Sequence, residues 1–308
     1  MEISKITLGT AQLGLNYGIA NDKGKPSKTQ GLKILSKAFD SGINSFDTAY
    51  AYGDSEELLG EFIKSRELYQ NAFITSKLPS ISKQNITDEQ VSEFVISSAE
   101  ESSRRLGTPV ANYLVHDFGD YRKFKKQIQR ASTKLKERRI IKMFGVSLYE
   151  PEEAEEIMED QFIDSVQIPV GILNQSFLKN NLLKNLKIRN VTILVRSIFT
   201  QGLIFLNRDQ VFQRMPDALE WIEKLNELSA RTGISILELA IGFVLAIKEV
   251  DSIVLGVESE EQLSINIELF SKIHKISTED ITDIFSVVPG EIYDPRRWTI
   301  NAKKFMGK

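Results

Sequence analysis

A parallel (β/α)8 TIM barrel, with an extra helix before the last βα unit and a C-terminal tail, is the fold class predicted for this chain of 308 residues. Short β-rich apolar runs alternate with longer segments of helical period, the pattern of a parallel α/β fold. Gly9 and Gly14 lack the Gly-x-Gly-x-x-Gly spacing that an open doubly wound sheet carries after its first strand. The polar residues with most chemistry end apolar runs, which is where a barrel places its active site.

Candidate strands occupy residues 6–8, 43–46, 73–76, 113–115, 143–146, 165–168, 192–195 and 252–255. Helical segments fall between them, at residues 29–40, 55–64, 88–106, 121–138, 152–159, 236–247 and 260–270. Apolar residues recur within them at three- and four-residue spacing, as in Val91, Phe94, Val95 and Ala99. Residues 218–232 form the extra helix, and the tail follows Ile276. With no Pro/Ser-rich linker and no low-complexity tract, residues 1–308 read as one barrel domain.

Composition narrows the partners. Hydrophobic residues make up 42% and charged residues 26%, enough to bury a sizeable core, and the formal net charge is only -3. No global field favours nucleic acid or a membrane surface, so a small molecule is the expected partner. There is no cysteine, which excludes disulfides, thiolate metal sites and a cysteine nucleophile and fits a reducing compartment. The N-terminus lacks the basic head and apolar run of a secretory signal. The most apolar segment, residues 239–247, is less than half the roughly 20 residues of a membrane span. The chain therefore reads as cytoplasmic, with no metal site expected.

Strand two runs into Asp47, strand three into Lys77 and strand four into His116. Taken singly, a strand-end Asp caps a turn, a Lys reaches solvent, and a histidine on an apolar run is structural. Together they bring an acid, a base and an imidazole to one rim. The loop after strand two adds two competing phenols, Tyr50 and Tyr52. The other histidine, His274, lies among basic residues and reads as a surface group.

In these residues the chain resembles the aldo-keto reductase family: Asp47-Thr48-Ala49 with Tyr52 immediately before Gly53, a Lys ending strand three and a His ending strand four. Leu8-Gly9-Thr10-Ala11, Gly145-Val146-Ser147, Val166-Gln167 and Gln201-Gly202-Leu203 extend the likeness over nearly the whole chain. The resemblance implies an NADP(H)- or NAD(H)-dependent reduction of a small carbonyl substrate, with Asp47, Tyr52, Lys77 and His116 catalytic. It selects Tyr52 over Tyr50. A free phenol titrates near ~10, and the Lys77 ammonium is expected to bring Tyr52 down from there, with Asp47 orienting the lysine and His116 meeting the carbonyl.

The resemblance also assigns cofactor residues. Ser147 and Gln167 match the carboxamide-binding pair, although the Asn that usually follows that Ser is Leu148. Arg196 stands where an aromatic commonly stacks on nicotinamide, with Phe199 as the other candidate, and Asn266 matches an adenine-binding residue. Gly256, Glu258 and Gln262 belong to the segment after strand eight, where relatives that bind the 2′-phosphate carry cations. Residues 255–262 hold three glutamates and no cation, which points toward NADH unless Arg208 or Lys272 reaches the phosphate from outside.

Two other functions compete: a Schiff-base aldolase using Lys77, and a cofactor-binding regulatory barrel with little turnover. Substrate choice is expected to reside in loops 16–27 and 118–121 and in the tail at 293–298. There Arg296, Arg297 and Trp298 either line a pocket for a polar or anionic substrate, such as a sugar derivative, or anchor the tail.

Overall fold

The computed structural model describes residues 2–272, 278–299, 302 and 304; His274 lies outside the described residues. Eight parallel strands close into a barrel in sequence order: β1 (Ile6–Gly9), β2 (Ser45–Asp47), β3 (Phe73–Leu78), β4 (Val110–Val115), β5 (Ile141–Ser147), β6 (Ser165–Pro169), β7 (Thr192–Arg196) and β8 (Ser252–Gly256). All eight overlap the predicted runs. Two boundaries matter for the site, because β2 continues through Asp47 and β3 through Leu78, so both Asp47 and Lys77 lie within ladders rather than beyond them.

Helices α1 (Ala11–Gly14), α2 (Lys28–Asp40), α3 (Ser55–Ser65), α4 (Val91–Leu106), α5 (Phe118–Glu137), α6 (Pro151–Glu156) and α7 (Leu182–Ile188) follow the first six strands. After β7 come α8 (Arg208–Arg214), α9 (Leu219–Thr232) and α10 (Ile236–Leu245), and after β8 come α11 (Glu260–Lys272), α12 (Glu279–Phe285) and α13 (Gly290–Tyr293). Their ends follow local chemistry. Ser27 with Gln30 and Ser235 with Glu238 form capping boxes that start α2 and α10. α4 and α9 stop where Gly107 and Gly233 adopt positive φ. α5 starts three residues earlier than periodicity suggests, because the Asp117 side chain accepts from the Gly119 amide. The insertion before the last βα unit is two helices, α8 and α9, where one was expected.

Residues two apart on a strand share a face, and this stacks two layers inside the barrel. The lower one is polar and internally satisfied. Thr7 donates to Ser45 at 2.7 Å and lies 2.7 Å from the Ser252 hydroxyl; Ser165 donates to Asn112 at 2.7 Å, and Asn112 to Thr75 at 3.3 Å. The layer above therefore contains Gly9, Asp47, Lys77, Gln167 and Val254, each two residues further along its strand. Outside the barrel, apolar strand residues such as Phe46, Ile74, Phe144, Val166 and Ile193 are fully buried and carry the core that the helices cover.

Helix α1 sets the height of the Tyr52 loop. A β-carbon added at Gly14 would lie 1.8 Å from the Tyr52 carbonyl oxygen, and Gly53 opposite holds a φ of +58°. Gly14→Ala is therefore expected to force the loop outward and destabilise the fold by about 1–3 kcal/mol. A urea midpoint equal to wild type would show that the close approach carries no constraint.

Candidate active site

The rim positions converge as β2, β3 and β6 dictate. Lys77 Nζ donates to Asp47 Oδ2 at 2.7 Å and to the Thr48 carbonyl at 2.9 Å, and is 1% exposed. The second Asp47 oxygen accepts from Gln167 Nε2 at 2.6 Å, so one carboxylate ties β3 to β6 across the barrel. Tyr52 projects from the loop after β2. That loop is held by its own turn bonds, Tyr52 N–H to Ala49 and Ser55 N–H to Tyr52, and by the Thr48 and Ser55 hydroxyls 2.5 Å apart. The Lys77 nitrogen lies 4.9 Å from the Tyr52 ring centroid. The His116 ring meets the Tyr52 ring edge to face at 6.0 Å and 84°. Tyr50, the competing phenol, is 40% exposed, lies under the Arg105 guanidinium and does not line the cavity.

Electrostatics correct one expectation. Burial, then the charge of Asp47, push the Tyr52 phenol above its ordinary value rather than below it. The reason lies in the pairing: Asp47 sits against Lys77 and offsets its field, while the apolar walls disfavour phenolate. Burial pushes the Lys77 ammonium down, and Asp47 opposes that. Burial, then the Lys77 and Arg196 charges, push the His116 imidazole down to about 3, so it is neutral at physiological pH. A lysine buried this way and bonded twice is placed to support the phenol, and its nitrogen does not face the cavity as a Schiff-base nucleophile would.

Asp47, Tyr52, His116 and Gln167 line a cavity of about 890 Å³ at the C-terminal face, large for a small-molecule site. It runs past Arg196, Gln201 and Gly202 to Gly256, Glu258, Gln262 and Asn266. Of the residues assigned to a dinucleotide, only Ser147 is not on the wall; it is buried beneath. The fit to a dinucleotide shows in orphaned acceptors: Gln167 Oε1 and Gln201 Oε1 are buried without a partner, a costly condition that a ligand N–H or hydroxyl relieves. Leu148, where relatives have Asn, is fully buried and offers only its carbonyl, which accepts from Arg196. The Arg196 guanidinium lies 4.2 Å from the Tyr149 ring centroid, and Phe199 packs against Phe205 at 5.1 Å. At the far end the Glu258 amide donates to Gln262, burial raises the Glu258 carboxyl, and Lys23 is the cation whose field opposes that rise. Arg208 pairs with Glu223 and Lys272 with Glu268, and neither lines the cavity.

The tail divides. Trp298 is 3% exposed and its indole donates to the Ile292 carbonyl at 3.1 Å, so it is an anchor and not a pocket wall. Arg297 pairs with Glu150 at 2.7 Å away from the cavity, whereas Arg296 and Pro295 line it. Sequence reading missed Tyr17, Gln12 and Tyr149, which also line the cavity. Tyr17 and Tyr149 lie in loops and Gln12 in the four-residue helix α1, all too short or irregular for periodicity to mark the inward direction.

Comparison with known proteins places the chain. Residues 5–288 match the model of the aldo/keto reductase family. The chain is 27% identical to the pyridoxal 4-dehydrogenase of Microbacterium luteolum, over 88% of this chain and 91% of that protein. It is 25% identical to an aldo-keto reductase of Bacillus subtilis, over 96% and 93%. An aldo-keto reductase of Bacillus halodurans in its holo form superposes with a TM-score of 0.73 at 20% identity, covering 96% of each chain. The chain belongs to the aldo/keto reductase family, whose members are NAD(P)H-dependent oxidoreductases acting on small carbonyl substrates. Among the described residues no single helix is long and apolar enough to cross a membrane.

The depressed His116 imidazole has a direct consequence. With the unfolded imidazole titrating near 6.5 and the folded one near 3, the unfolded chain binds the extra proton between those values. Its contribution to stability is complete above pH ~6.5 and declines as pH falls toward ~3. An NMR titration of the His116 ring should show no protonation down to pH ~5; a midpoint near ~6.5 would contradict the burial argument.

Proposed function

We propose that this chain reduces the aldehyde or ketone of a small polar substrate, such as a sugar derivative, to an alcohol, with Tyr52 as the proton donor. The observation that carries the reading is the Gln167–Asp47–Lys77 chain beneath a protonated Tyr52 phenol, with neutral His116 beside it on the cavity wall. When bound, NAD(P)H would supply the hydride that reduces the carbonyl carbon.

The residues divide the remaining work. Tyr52 keeps its proton throughout neutral pH, because burial and Asp47 disfavour phenolate, and releases it to the carbonyl oxygen as negative charge develops there. Lys77 holds a compensating charge under the ring, and Asp47 keeps that lysine oriented. His116, being neutral, keeps one ring N–H that can donate to the carbonyl oxygen and aim it at Tyr52. Gln167 Oε1 would receive the carboxamide of the dinucleotide, and Gly256, Glu258, Gln262 and Asn266 its adenosine end. The names of relatives favour a small polar substrate: a pyridoxal 4-dehydrogenase, an L-galactose dehydrogenase of Arabidopsis thaliana and an L-glyceraldehyde 3-phosphate reductase of Escherichia coli.

Removing the acid tests this directly. Tyr52→Phe should lower kcat for an aldehyde by about 10²–10⁴ and leave dinucleotide affinity, followed by fluorescence titration, within a few-fold. Tyr50→Phe should stay close to wild type, since that ring lies outside the cavity. Reversed effects would move the proton donor to Tyr50.

Coenzyme choice follows from the acidic segment after β8. Glu258 on the wall would accept hydrogen bonds from a free ribose hydroxyl and would oppose a 2′-phosphate. We expect a kcat/KM ratio for NADPH over NADH near or below one; a ratio above roughly 100 would show that Lys23 or another cation neutralises the phosphate.

A further inference from the structure

Among the described residues, the cations at the Tyr52 end of the cavity are matched by carboxylates, with one exception. Lys77 has Asp47 at 2.7 Å. Arg296 and Arg297 share Asp294 and Glu150, with N–O separations of 2.6 to 3.4 Å. Arg196 ends β7, opposite Pro169 of β6, and lines the cavity with Tyr52, His116 and Gln167. Its Nη2 donates to the Leu148 carbonyl at 3.0 Å and its Nη1 to the Ser197 hydroxyl at 3.3 Å, both neutral acceptors. Among the described residues it forms no ion pair. The Arg296 guanidinium lies 3.9 Å from the same Tyr149 ring over which Arg196 sits at 4.2 Å, and the Asp294 carboxylate near both is bonded to Arg296 and Arg297.

A partly buried guanidinium without a counter-charge loses hydration and regains little of it from neutral acceptors. Its planar fork suits a carboxylate or a phosphate, each of which it can bind through two N–H donors. The charge is felt at the reacting groups, because it contributes to lowering His116 and opposes the rise of Tyr52. Arg196 lines the cavity together with Gln167, whose orphaned Oε1 would take the carboxamide, and a nicotinamide would bring no anionic group there. The anion that completes the site must then come from the substrate.

We infer that Arg196 recognises an anionic group, a carboxylate or a phosphate ester, carried by the carbonyl substrate itself within a few bonds of the reacting carbon. This inference rests on the carbonyl-reductase reading above. It moves anion recognition from the tail arginines expected from sequence to the end of β7, where the guanidinium faces the same cavity as the proton donor. Tyr149 acts through Arg196, as the ring that fixes the plane of the guanidinium.

Two matched pairs test it, succinic semialdehyde against butanal for carboxylate, and glyceraldehyde 3-phosphate against glyceraldehyde for phosphate. In the wild-type enzyme with NADH or NADPH, at least one anionic member should exceed its neutral partner at least tenfold in kcat/KM, mainly through KM, and the pair that does so identifies the anion. Arg196→Gln should bring that ratio near one whatever it does to overall rate, and Arg196→Lys should retain part of it. Succinate or inorganic phosphate should also compete with the aldehyde in the wild-type enzyme, a measurement that needs no variant. A wild-type ratio near one for both pairs, or an unchanged ratio in Arg196→Gln, would overturn the inference and leave carbonyl reduction standing. Turnover of none of the four aldehydes would instead bring down the reductase reading, and this inference with it.

Discussion

The arrangement of this site depends on one buried ion pair, Lys77 with Asp47, at the level where the barrel stops being filled by its own side chains. Burying two charges costs several kcal/mol per ion unless each is fully hydrogen-bonded. Here the cost is offset by a third strand and a loop: Gln167 takes the second carboxylate oxygen and the Thr48 carbonyl takes a second ammonium proton. That requirement fixes β2, β3 and β6 relative to one another and draws the start of the Tyr52 loop onto the lysine. The phenol above therefore inherits its position from a charge pair it does not join by any hydrogen bond described.

The same pair explains why Tyr52 is a proton donor rather than a phenolate. A lone ammonium 4.9 Å from the ring would favour ionisation, but a carboxylate against that ammonium cancels most of its field, and burial then decides. An acid that holds its proton until charge develops on the carbonyl oxygen suits reduction. A neutral His116 alongside suits it too, since a second cation at this point would compete with Tyr52 for the developing alkoxide. Arg196 adds positive charge to the same end without an ion-pairing carboxylate among the described residues, so a paired floor lies beside an uncompensated guanidinium on the wall.

Much of this was legible in the sequence, for physical reasons that differ between parts. Asp47, Lys77 and His116 stood out because each ends an apolar strand, and a parallel barrel brings strand ends together whatever the helices do. The eight strands were legible because their buried runs are short and rich in β-branched residues, while α7, only Leu182–Ile188, is too short to show a period. The sign of the Tyr52 shift was not legible, because it depends on a distance between two charges and on burial, neither of which spacing encodes. Trp298 was ambiguous for a similar reason: a tail residue beside two arginines reads as a pocket wall until its indole is seen bonded to Ile292. Arg196 was visible as a departure from its relatives, yet its missing counter-charge emerges only when every neighbouring carboxylate has been assigned to another cation.

The account turns on Tyr52 delivering the proton, and replacing it with 3-fluorotyrosine tests that without removing the group. The substituted phenol is more acidic but keeps its shape and its hydrogen bonds. If Tyr52 is the acid, the alkaline limb of the kcat/KM profile for aldehyde reduction moves to lower pH by the difference in intrinsic acidity. A limb that stays where it lies in the unsubstituted enzyme, with activity retained, would assign the proton to another group and contradict the account.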